Sequence, residues 1–136
     1  MPITPHGGEL IDRILTGDAL KAAQERAVGL TKIVVNTYTS FDIDGIAKGI
    51  FSPLKGFMNE EQTRNVLDKM HLADGVPWTI PILLAVSKEE ASKLATGEEV
   101  AIEDDEGDIV AILHLSEMFK MDHKAVSYTH LTLPTN

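Results

Sequence analysis

The segment from Glu99 to His114 constrains this chain more than any other. Glu99-Val100-Ala101-Ile102-Glu103 and Asp108-Ile109-Val110-Ala111-Ile112-Leu113-His114 are two runs rich in β-branched side chains. Between them stands the acidic turn Asp104-Asp105-Glu106-Gly107. Two such runs separated by a short turn ending in glycine satisfy their backbone groups most directly by pairing with each other, so the segment predicts an antiparallel hairpin. A sheet is therefore part of the fold, and its apolar face needs other elements to cover it.

The sequence supplies them on both sides. Asp18 is placed to cap a helix over 19–27, with Gly29 as its stop. The β-branched and aromatic run 32–38 predicts a strand, and 41–48 a short helix closed by Gly49. In Phe51-Ser52-Pro53-Leu54-Lys55-Gly56-Phe57-Met58, Pro53 restricts φ and Gly56 permits positive φ. That predicts a sharp turn with Phe57 and Met58 directed inward. Asn59 with Gln62 three residues later makes a capping box, and Val66, Leu67 and Met70 follow at helical spacing. The apolar run 78–86 reads as a largely buried strand in which Pro81 is confined to an edge or a bulge. Ser87 and Glu90 form a second capping box, for a helix through Leu94. The expected class is α+β: a small curved sheet or barrel with short helices flanking it.

Composition narrows what such a domain does. A chain of 136 residues fits one hydrophobic core, with no room for a second full domain. The 21 acidic against 12 basic side chains give a formal charge of -9, a field that repels phosphate backbones and argues against nucleic acid as a partner. No apolar run approaches the roughly 20 residues that span a bilayer, so no membrane role is expected. There is no cysteine, hence no disulfide framework or thiolate chemistry. The N-terminal residues lack the basic and apolar segments of a secretion signal, and the default expectation is a cytoplasmic location.

The octapeptide at 51–58 resembles the Ser-Pro-Leu-x-Gly-Phe-Met signature of ATP sulfurylases (sulfate adenylyltransferases). Upstream, Pro5-His6-Gly7-Gly8 with Leu10 and Arg13 is similar to that family's N-terminal block. Asp42-Ile43-Asp44 with Ile46 and Gly49 sits at the family's spacing ahead of the signature. Downstream, Leu72-Ala73-Asp74-Gly75 leading to Trp78-x-Ile80-Pro81 resembles a second block. Val100-Ala101 through Gly107, Ala111 and Leu113 resembles a third. The blocks occur in family order between Pro5 and Ala125. The resemblance implies a PUA-like N-terminal domain, residues 1–125, standing ahead of a separate catalytic domain. It also implies a parent reaction in which sulfate attacks the α-phosphate of ATP with magnesium assisting. The family's catalytic segments, Gln-x-Arg-Asn-Pro and His-x-x-His, belong to that later domain, so this stretch is expected to hold no catalytic, cofactor-binding or metal residue. Its missing catalytic domain is the implied partner, and a homo-oligomer is a further possibility in the parent. The signature residues Ser52, Pro53, Leu54, Gly56, Phe57, Met58, Trp78 and Pro81 are then expected to be structural.

Several patterns compete with that reading. Gln62-Thr63-Arg64-Asn65 reads Gln-x-Arg-Asn, which would make Arg64 an anion ligand, but Val66 replaces the proline and a solvent-facing helix explains the four residues better. His6-Gly7-Gly8 lacks the phosphate-loop pattern and is expected to be a flexible arm. His6, His71, His114, His123 and His130 include no metal-ligand spacing, and the acidic turn is no EF-hand. The uncharged string 126–136 resembles the translation of a transposon-end adapter and is expected to be non-native. The functional alternative is a self-standing PUA-like binding module, since such folds also occur in RNA-modifying proteins. The acidic charge and the lack of a Lys/Arg stripe with interleaved aromatics weigh against RNA.

Overall fold

The computed structural model describes residues 2–121. The chain divides into two compact units. Among the described residues, one comprises 2–56 with 84–117, and the other 57–83 with 118–121. His123, His130 and the string 126–136 lie outside the described residues.

The first unit is organised by the expected hairpin. β2 (Glu99–Glu103) pairs antiparallel with β3 (Ile109–His114), and β1 (Thr31–Val34) adds in parallel on the other side of β2, giving an open three-stranded sheet of order β1-β2-β3. The turn works through Asp104, whose Oδ1 accepts from the amides of Glu106 (3.0 Å) and Asp108 (2.9 Å), while its own amide donates to the Asp108 carbonyl (2.9 Å). Val100 stands opposite Leu113 and Ile102 opposite Ala111, so both pairs face one side of the sheet. With Ile33 and Val35 they form a core that Leu115 joins and against which Ile43, Leu84, Val86 and Leu94 pack. Ala101, pointing the other way, is equally buried.

α1 (Gly17–Ala27) buries Ala23 and Ala27, one turn apart, and touches β3. Its N-cap is Thr16 rather than the expected Asp18, which instead places its charge in the first turn, where the helix dipole favours it. From the last turn, Arg26 Nε reaches Glu99 Oε2 at 2.8 Å and ties α1 to β2. α2 (Thr37–Ala47) begins four residues before the expected start, and β1 is correspondingly shorter than the run 32–38. The Asn36 side chain accepts from the Thr39 amide at 2.9 Å, and this cap overrides the strand preference of Thr37 and Tyr38. α4 (Lys88–Ser92) carries the expected Ser87/Glu90 capping box. It stops short of Leu94, which packs on the core outside the helix.

The second unit contains α3 (Glu60–Lys69), opened by the reciprocal Asn59/Gln62 box. Thr63 and Val66 are its buried residues, and Thr63 Oγ1 donates back to the Asn59 carbonyl at 2.7 Å. The helix ends on Met70 in the left-handed region (φ 56), and a tight loop follows in which the Leu72 amide donates to Val76 and the Trp78 amide to Met70. The expected strand over 78–86 does not form. Pro81 has no amide to offer, and an apolar run becomes a strand only where a neighbour supplies a ladder. Here the Ile82 carbonyl accepts from the Met58 amide (2.9 Å), but the run joins no strand pairing among the described residues.

Candidate functional site

The signature is distributed over both units, and each holds its share differently. In the first unit, Ser52 is buried and its hydroxyl makes two bonds: Oγ accepts from the Ile11 amide at 3.0 Å and donates to the Gly49 carbonyl at 2.7 Å. The Ser52–Pro53 peptide is cis, and Leu54 turns inward, its amide donating to the Phe51 carbonyl at 2.8 Å. Gly49 sits at φ 81, and a Cβ there would lie 2.4 Å from the Ile11 carbonyl oxygen. Gly7, at φ 75, meets the ring of Pro53 so closely that a Cβ would lie 2.6 Å from its Cγ.

These contacts change the reading of the N-terminal segment. His6–Gly8 forms a short 3-10 turn seated on Pro53, and the chain beyond it is fastened by Ile11 to Ser52 and by the Arg13 amide to the Ala47 carbonyl (2.9 Å). The expected flexible arm is instead a strap over the signature. The sequence held a hint of it, since glycines where a backbone passes closely over another segment are the signal. Nothing in the spacing, however, said which segment would be met. Gly56 is a correction of the opposite kind: it is not at positive φ, and a Cβ there would meet open space. The strained glycine of this region is Gly49, seven residues earlier.

In the second unit Met58 is buried, whereas Phe57, Trp78 and Pro81 are half-buried. Trp78 Nε1 donates to the Ile80 carbonyl at 2.7 Å, which fixes the indole against its own loop.

Among the described residues, Arg64, His71, His114, Asp104 and Asp105 each have a partner within their own unit. Arg64 lies on the exposed face of α3 and pairs with Glu60, whose carboxylate raises the pKa of the guanidinium. His114 Nδ1 stands 3.4 Å from Glu99 Oε1, and His71 Nδ1 faces the Leu72 carbonyl at 2.8 Å. In the acidic turn, Asp104 is spent on the backbone and Asp105 accepts from Thr37 Oγ1 at 3.0 Å. Among the described residues no group of histidine and carboxylate side chains could hold a metal ion. A shallow depression lined by Gly29, Leu30, Thr31, Glu98 and Glu99 has two glutamates as its charged lining, the wrong sign for a nucleotide or sulfate. The lining of this depression therefore does not fit the phosphates of ATP. Among the described residues, too, no helix is long and apolar enough to cross a membrane.

A small open three-stranded sheet accompanied by short helices defines an α+β domain. The chain belongs to the PUA-like domain family, whose model matches residues 3–130. Among its curated relatives, the sulfate adenylyltransferase of Symbiobacterium thermophilum is 42% identical over 123 residues, covering 90% of this chain and 31% of the relative. A probable bifunctional SAT/APS kinase 2 of Sorangium cellulosum is 44% identical over 118 residues, covering 87% and 20% respectively. The solved hexameric APS kinase from Thiobacillus denitrificans superposes with a TM-score of 0.78 at 30% identity, covering 88% of this chain and 24% of that one. The chain thus spans less than a third of the length of each of these relatives.

Proposed function

We propose that residues 1–125 are the N-terminal, non-catalytic domain of a sulfate adenylyltransferase, and that the domain supports a catalytic domain elsewhere in the parent polypeptide. The observation that carries this reading is 42% identity over nine-tenths of the chain to an enzyme of which it represents 31%. In the parent reaction a sulfate oxygen bonds to the α-phosphorus of ATP as the bond to the pyrophosphate oxygen breaks, giving adenylyl sulfate and pyrophosphate. Such a transfer depends on positioning and on cationic stabilisation of oxyanions, with magnesium supplying part of that charge. The residues of this chain neither bind nor activate those groups. They shape the strap-and-signature scaffold around Ser52 and Gly49. On this reading the parent is cytoplasmic and a homo-oligomer, as the solved APS kinase relative is a hexamer. It treats 126–136 as an adapter-derived tail.

The purified chain incubated with ATP, magnesium and sulfate is expected to release no pyrophosphate above a heat-killed control. Release above that control would overturn the non-catalytic assignment.

A further inference from the structure

The first unit leaves large apolar side chains in solvent on three segments that lie near one another. Tyr38 (81% exposed) and Phe41 (67%) are three residues apart on α2 and share its outer face. One turn on, Gly45 is overlaid by the half-buried Phe51 ring, which a Cβ at Gly45 would meet at 2.7 Å. Four residues further, the Cβ position of Gly49 lies 2.8 Å from Leu10 Cδ1. Leu10 is 64% exposed, and the neighbouring Ile50 71%. Small residues at 45 and 49 let the signature and the strap lie against α2 and the turn that follows it, where the Ile50 amide donates to the Gly45 carbonyl (2.8 Å), giving a ridge whose members are held on three segments. In a chain carrying a formal charge of -9, these uncharged side chains are not there for solubility.

We propose that this ridge of Leu10, Tyr38, Phe41 and Ile50 is the face on which the rest of a longer polypeptide packs, the occupant being a covalently continuous domain that offers an apolar, uncharged patch. The inference rests on the functional reading above. Two observations select this occupant. The relatives are more than three times as long as the segment they share with this chain, so a domain of this kind has a tethered neighbour in them. The four side chains offer on the order of 500 Å², well under the roughly 800 Å² per partner of a stable association between separate molecules. A tethered neighbour needs no such area, because the linker holds it at an effective concentration of about millimolar.

The test compares the 136-residue chain with a chimera in which it replaces the matching part of the Symbiobacterium thermophilum enzyme, each with and without the pair Tyr38→Ser and Phe41→Ser. The isolated chain is expected to melt within about 1 °C of its parent, whereas the paired change lowers the melting temperature of the chimera by roughly 4 °C or more. Leu10→Ser, on a different segment, is expected to repeat the pattern without touching α2. Chimeras that melt together would overturn the proposal. A fall of equal size in the isolated chain would also overturn it, by making the ridge part of the domain's own fold. A dimer of the isolated chain that the paired change dissolves would do the same, by making the occupant a second copy. Adenylyl transfer by the unsubstituted chimera is read separately: its absence overturns the functional reading, while the difference in melting still decides the docking face.

Discussion

Ser52 holds together segments far apart in sequence through one hydroxyl, donating to Gly49 and accepting from Ile11. Ser52→Ala strands the Ile11 amide in a buried place and is expected to cost about 1–3 kcal/mol, read as a shift in the denaturant midpoint. Gly49→Ala should cost more than about 2 kcal/mol, because a positive φ is combined with a Cβ pressed against the backbone oxygen of Ile11, which cannot swing aside. Gly56→Ala is the contrast. With open space and no positive φ, it is expected to change stability by less than about 1 kcal/mol. Equal midpoints for Gly49→Ala and Gly56→Ala would refute this account. Proline and glycine in the signature told the sequence reader that the chain turns there. They could not say which glycine bears the strain, because that depends on the distant Leu10 and Ile11 passing over Gly49.

At the scale of elements, what could be read from sequence was what is decided within four residues. The boxes Asn59/Gln62 and Ser87/Glu90 both form, since every partner in them is a near neighbour. The run 78–86 misled because strand identity is conferred by a partner strand, and apolar content alone does not reveal whether one arrives. Asn59→Ala and Ser87→Ala are each expected to cost about 1 kcal/mol. The loss at Ser87 should also melt the five-residue α4, visible as faster exchange of the Ala91 amide. The Glu90 carboxylate accepts from the Ser87 amide at 2.8 Å, and this bond holds its pKa below the ordinary 4.5. A depressed carboxylate contributes stability that is present above its unfolded pKa and lost as pH falls through the folded value. The α4 cap should therefore weaken below about pH 4.5, whereas Glu90→Gln retains the cap and flattens that dependence. A carboxyl titration of Glu90 centred above 4.5 would contradict the assignment.

At the scale of the molecule, deletion of 126–136 is expected to leave thermal unfolding unchanged, and a fall of several degrees would mark the string as part of the fold. The parallel pairing of β1 with β2 carries a different consequence, one concerning time. β2 and β3 are neighbours across a tight turn, but Thr31 meets Val100 across a separation that contains α2, α3 and α4. Closing so long a loop costs entropy before any contact repays it, whereas the hairpin closes locally. Synthesis runs the other way: β1 leaves the ribosome first and waits several seconds, at about 5–20 residues per second, for the strand it needs. During that interval Ile33 and Val35 have no sheet to enter. Pulse-labelled hydrogen exchange during refolding should accordingly protect 99–114 before 31–34, and simultaneous protection would show that the hairpin does not template its parallel neighbour.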